Sequence, residues 1–88
     1  MWMKVREIGQ GVHHSEVVVE IKTMGGVERI VLDKRAIKNG EIEVGNPLAM
    51  RDHGQLLVEL PREAMSGAAR VWVKQDSLAR RQSEARAA

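Results

Sequence analysis

Three histidines, His13, His14 and His53, are the residues of this 88-residue chain best suited to metal ligation, because neutral imidazole is a common protein ligand for metals. Adjacent side chains in an extended strand point to opposite faces, and no cysteine or spaced Asp/Glu completes a ligand set around them. They read as solvent-facing loop residues, and no metal or other cofactor is expected. Ser15, Ser66, Ser77 and Ser83 sit in turn or tail contexts without a paired base, and no glycine-rich phosphate loop precedes a helix. Glu41, Glu43, Glu59 and Glu63 fall where they keep a sheet surface soluble. The expectation is therefore a protein that binds rather than catalyses.

Cations offer the more specific chemistry. Lys34, Arg35 and Lys38 form one basic cluster, and Arg70, Lys74, Arg80, Arg81 and Arg86 form a second around Trp72. Guanidinium and ammonium groups can hold phosphates while an indole stacks on an unpaired base. The competing reading is a solvated charged surface with Trp72 buried in a barrel end or a dimer interface. Trp72, Arg70 and Lys74 are the expected partner contacts, with Lys34, Arg35, Lys38, Arg80 and Arg81 as candidate nucleic-acid contacts.

The elements that must position these groups are strands. The chain has neither Phe nor Tyr, so its core must be Val, Ile, Leu and Met, a composition that favours β structure. The stretch from Gly45 to Val73 organises the rest. A three-residue loop Asp52-His53-Gly54 pairs Met50 with Leu56 and Leu48 with Val58, turning one apolar face inward, and sets Arg51 against Gln55 on the other. Pro61 suits the start and Gly67 the end of a helical turn over Arg62 to Ser66. Ala69, Val71 and Val73 then alternate with Arg70, Trp72 and Lys74. Upstream, Trp2 to Ile8 reads as a ragged first strand and Gly9 to Ser15 as a loop or bulged edge. Glu16 to Met24 and Val27 to Asp33 flank Gly25-Gly26 as a hairpin with Ile21 facing Ile30 and Val19 facing Leu32. Asp33 to Gly40 opens with a helix-capping residue and reads as a short helix, and Glu41 to Val44 as a strand with Ile42 and Val44 on one face.

Together these elements predict a mainly β protein, a small antiparallel barrel or half-open sheet with one or two short helical turns. Residues 1–76 form a single small domain and residues 77–88 a basic, frayed or disordered tail. A domain of this size buries only roughly 60% of its unfolded surface, and the chain has no cysteine for a disulfide, so self-association is the expected source of extra stability. Val18, Met24, Val27, Val31, Leu57 and Trp72 are left on outer faces, which points to a second copy of the chain covering them. No apolar run approaches a membrane span or a secretion signal, so a cytoplasmic protein without membrane contact is expected. The net charge of +2 is uneven. Residues 1–69 hold nine Lys/Arg against ten Asp/Glu, whereas residues 70–88 hold five against two.

From Ile42 onward the order of strand, hairpin, strand, helical turn and a strand bearing Trp72-Val73, with Leu78 after a polar turn, resembles the second half of a Src-homology-type barrel. That resemblance implies fold alone, since the family's aromatic-lined groove has no counterpart in a chain without Tyr or Phe. ERIVLDKRAIKNGEIEVGNPLAM followed by GQLLVEL is similar in spacing to swapped-hairpin DNA-binding regulators, including antitoxins. Asp33 stands where that pattern has a proline and Asn46 where it has an aspartate. This second resemblance implies an obligate dimer that contacts DNA. The expected function is a non-enzymatic protein-interaction or adaptor module acting as a homodimer, with a nucleic-acid-binding protein, either a single-strand binder or a DNA-binding regulator, as the alternative.

Overall fold

The computed structural model describes residues 1–79 and is mainly β. Its strands are β1 (Trp2–Lys4), β2 (Arg6–Gln10), β3 (Glu16–Thr23), β4 (Gly26–Asp33), β5 (Ile37–Lys38), β6 (Glu41–Glu43), β7 (Ala49–Arg51), β8 (Gln55–Glu59), β9 (Arg70–Lys74) and β10 (Leu78–Ala79). They form three antiparallel sheets with the orders β10-β1-β6-β5, β2-β3-β4 and β7-β8-β9. Of the two expected forms, barrel or half-open sheet, a closed barrel is not what the described residues make, because ladder hydrogen bonding stops between the three sheets. The Met24 N–H donates to the Trp72 carbonyl at 2.8 Å between the second and third sheets, whereas the Val5 N–H, donating to the Gly40 carbonyl at 2.9 Å, extends the β1–β6 ladder by one residue.

All three sheets turn their apolar faces to one core. Met3, Ile42 and Leu78 come from the first sheet, with Val44 just after β6, Val17, Val19, Ile21, Ile30 and Leu32 from the second, and Leu56, Val58, Val71 and Val73 from the third. Side-chain alternation accounts for most of this set. The Met50–Leu56 and Arg51–Gln55 pairs occur as expected around Asp52-His53-Gly54. Leu48 and Met50, however, are 51% and 73% exposed rather than buried. β7 is a short outer strand, so its inward-facing side chains extend past the rim of the core that β8 and β9 cover.

The β3–β4 hairpin turns at Met24-Gly25, not at Gly25-Gly26, and pairs Val19 with Ile30 and Val17 with Leu32. The slip is two residues, so every side chain keeps its predicted face. Two bonds favour the observed turn: the Met24 N–H reaches Trp72, and the Thr23 hydroxyl donates to the Gly26 carbonyl at 3.1 Å. The expected first strand is two strands in different sheets, with Val5 at the change-over and a bulge between Glu7 and Gly9.

Neither expected helix forms as such. Asp33 caps a single 3-10 turn over Lys34–Ala36 by accepting the Arg35 N–H at 2.8 Å. Asn39 (φ 55°) and Gly40 (φ 74°) then make a tight hairpin turn between β5 and β6, because both hold the positive φ that such two-residue turns require. Between Pro61 and Ser66 no helix is present. That segment runs along the outer edge of β4 instead, where the Met65 N–H donates to the Arg29 carbonyl at 2.7 Å and the Ser66 hydroxyl to Glu28 at 2.6 Å. Ala64 is buried there.

Two further expectations change. Leu78, placed in the tail by sequence, follows a 3-10 turn (Gln75–Ser77), pairs with Met3 and enters the core. Of the six apolar residues assigned to outer faces, Val18, Met24, Val31, Leu57 and Trp72 are half-buried and only Val27 is well exposed. The loop before β3 covers part of that face, since a Cβ on Gly11 would lie 3.1 Å from Val31 Cγ1. The chain thus shields most of the surface that had pointed to a second copy.

Ile30 is fully buried whereas Met50 is 73% exposed, so their truncations should separate. Ile30→Val is expected to cost about 1 kcal/mol of unfolding free energy, and Met50→Ala less than about 0.5 kcal/mol. Urea titration of the two variants measures both. Equal losses would mean that Met50 packs in the core.

Candidate functional site

The sequence-selected residues do not converge. Trp72 is half-buried on the outer face of β9, opposite Leu57, and the Arg51 guanidinium lies 4.0 Å from its ring centroid. Arg51 is itself held by Gln55, whose side-chain oxygen accepts its Nε–H at 2.6 Å. The indole face expected to stack on a ligand is therefore covered by a cation from β7. Arg70 lies opposite Glu59 and pairs with it at 3.9 Å. Lys74, at the end of β9, is exposed.

The second cluster lies elsewhere. Arg35 folds back on Asp33, with its Nε and Nη2 donating to the two carboxylate oxygens at 3.2 Å each. Hydrogen bonding from the Arg35 side chain, then from its backbone N–H, holds the Asp33 carboxyl below its ordinary pKa, and the same pairing raises that of Arg35. Arg35 and Lys38 border a shallow depression of about 310 Å³ with Trp2, Ile42 and Pro61, and Lys34 is exposed nearby on the 3-10 turn. Arg80 and Arg81 lie outside the described residues.

A larger feature was not anticipated. Where the three sheets meet, an open groove of about 810 Å³ is bordered by Lys4 and Arg6 from β1 and β2, Lys22 from β3, and Lys74 from β9. Val5, Met24 and Val27 supply apolar surface between them, and Glu20 and Asp76 are its two acids. Each wall follows from a local device. The change of sheet at Val5 brings Lys4 and Arg6 to one side, the Met24-Gly25 turn presents Lys22 and Val27, and the 3-10 turn after β9 carries Asp76 and Ser77 past Lys74.

Ion pairing is unevenly distributed. Among the described residues, Arg29 pairs with Glu20, Arg35 with Asp33, Arg62 with Glu16 and Arg70 with Glu59. Lys4, Arg6, Lys22 and Lys74 make no ion pair among the described residues, and all four are exposed. Sequence reasoning found Lys74 but missed the other three, because they stand far apart in the chain. The i, i+2 spacing of Lys4 and Arg6, which puts both on one face of an extended segment, was the signal present.

His13, His14 and His53 are exposed, and among the described residues no group of three or more His, Cys, Asp or Glu could hold a metal ion. The groove presents ammonium and guanidinium donors around aliphatic surface, with Glu20 shared with Arg29 and Asp76 making no ion pair among the described residues.

The stacking over Trp72 has a direct optical consequence. In a chain with Trp2 replaced by Phe, Arg51→Ala should shift the Trp72 emission to longer wavelength as water reaches the ring. Emission unchanged by that substitution would mean that Arg51 does not cover it.

No protein-family model matches the chain, and no curated protein or solved structure matches it either.

Proposed function

We propose that this protein is a non-enzymatic binding module whose ligand surface is the groove at the junction of the three sheets, and that the ligand is a nucleic acid held by its phosphates. One observation carries the reading: of the seven described Lys and Arg residues that make no ion pair among the described residues, four border this groove, and Lys34, Lys38 and Arg51 lie apart from it. A cation without a carboxylate partner keeps its full attraction for an incoming phosphate, and releasing the counterions condensed on the polyanion supplies much of the binding free energy. Lys74 thereby keeps the contact role that the sequence suggested. Trp72 and Arg70, engaged by Arg51 and Glu59, act as supports of the β9 surface, and Lys34, Arg35 and Lys38 form a secondary basic patch.

Binding through these groups must weaken with salt. The double variant Lys22→Gln/Lys74→Gln should bind a labelled oligonucleotide more weakly than the parent, and the slope of log K against log salt should fall by about 1.4 for a single strand. Fluorescence anisotropy across a salt series reads both. Binding indifferent to salt, or an unchanged slope in the double variant, would overturn the assignment.

A second reading, the homodimeric protein-interaction module, is favoured by a different observation. Edge strand β7 presents Met50 to solvent, Leu48 just before it is also exposed, and β7 is paired on one side only, by β8. Exposed apolar edges of this kind join with another chain. Light scattering at micromolar concentration tests this reading: Met50→Lys should halve the mass of a dimer held by β7, and a parent chain that is monomeric throughout would remove it.

The half-open, Src-homology-type arrangement belongs with these proposals. Its support is the short 3-10 turn after β9 that returns the chain as β10 to pair with β1. Among the described residues no helix is long and apolar enough to cross a membrane. Placement in the cytoplasm rests on the cysteine-free sequence, which suits a reducing compartment.

A further inference from the structure

We infer that the groove takes an unpaired nucleic-acid strand and discriminates against duplex, an inference that rests on the nucleic-acid reading above and adds the form of the ligand. Its ground is the combination of two surfaces in one cleft. Lys4, Arg6, Lys22 and Lys74 border the groove together with Val5, Met24 and Val27, and Val27 is 52% exposed.

Phosphate contacts alone require only the cations. In a duplex the bases are stacked inside and the phosphates lie outside, so a protein that grips its backbone leaves recessed aliphatic side chains facing water. An unpaired strand can turn its bases out of the stack, and base faces are apolar enough to gain from leaving water. The arrangement here suits that geometry: phosphates on the ammonium and guanidinium groups, with one or two bases against Met24 and Val27. Single-strand binders ordinarily place aromatic rings under the bases. This groove offers aliphatic side chains instead, because the indole of Trp72, two residues from Lys74 on β9, is not among its lining residues and is engaged by Arg51. Base contact is therefore apolar and non-directional, and binding should show little preference among base sequences.

An acidic polypeptide is the competing occupant. It would satisfy the cations, yet its charges sit on flexible side chains that carry no flat apolar group to fill the space between them. The charge distribution, with five Lys/Arg against two Asp/Glu in residues 70–88, attracts either polyanion, so the apolar surface between the cations is what separates them.

The experiment compares four probes on the full chain by fluorescence anisotropy at one salt concentration. They are single-stranded DNA and RNA of about 12 nucleotides, within the site size of small single-strand binders, the matching DNA duplex, and polyglutamate of equal charge. The expected result is single strands bound roughly tenfold more tightly than duplex, the factor that removing some tens of Å² of apolar surface from water supplies, and polyglutamate weaker than either. Val27→Ser, at an exposed position where folding is not at stake, should weaken single-strand binding about threefold or more while leaving its salt slope unchanged. Lys22→Gln should instead lower both affinity and slope. Duplex bound as tightly as single strands, or a Val27→Ser chain that binds like the parent, overturns the strand preference and leaves the nucleic-acid reading standing. Failure of every nucleic-acid probe to bind, or polyglutamate bound as tightly as the strands, overturns both.

Discussion

A sheet of three or four short strands has one apolar face and cannot cover it alone, and three such sheets here share a single aliphatic core. Every other feature of the molecule depends on that sharing. Val19 and Ile30 from one sheet, Val58 and Val73 from a second and Met3 and Ile42 from a third are all fully or almost fully buried. Without aromatic bulk, the filling consists of branched and flexible aliphatic groups, whose gain comes from area removed from water rather than from directed contacts. The sheets meet edge to edge around this core without a continuous ladder, and backbone bonds such as that from Met24 to Trp72 set their relative positions.

The groove is a by-product of this construction. Where three sheets meet without closing, their margins leave a cleft, and the residues at those margins come from sites distant in sequence. Charge then gives the cleft its character. Opposed strands let Arg29 meet Glu20 and Arg70 meet Glu59 across a ladder, and exposed pairs of this kind contribute about 0–1 kcal/mol each. Their larger effect is on the electrostatic surface, since each pair cancels a positive charge that would otherwise attract anions. What is left uncancelled by pairing includes Lys4, Arg6, Lys22 and Lys74 around one cleft.

Local chemistry was legible wherever two neighbouring elements sufficed to decide it. The Met50–Leu56 register followed from the loop between them, and the inward faces of β3, β8 and β9 followed from alternation. The exact turn of the β3–β4 hairpin did not, because Gly25-Gly26 and Met24-Gly25 are both workable centres and the choice rests with Thr23 and with Trp72, the latter about fifty residues away in the chain. Asn39-Gly40 suits both a hairpin turn and the end of a helix, and the capping residue Asp33 before it favours the helix until the pairing of β5 with β6 decides for the turn. The segment after Pro61 had the ends of a helical turn, but a free edge of β4 took its backbone donor from Met65. Leu48 and Met50 have inward parity without a neighbour to pack on, and parity specifies a direction, not a depth.

Sequence alone therefore determined the β class, which side of most strands is apolar, the tight loop at Asp52-His53-Gly54 and the absence of aromatic packing, because each of these depends on residue type and a period of two. Tertiary structure decided the rest: the division into three sheets, the coverage of Val18 and Val31, the stacking of Arg51 on Trp72, and the assembly of the cationic groove. These depend on which distant margins come into register, and that is set by how three apolar faces divide one core, a relation that no window of neighbouring residues contains.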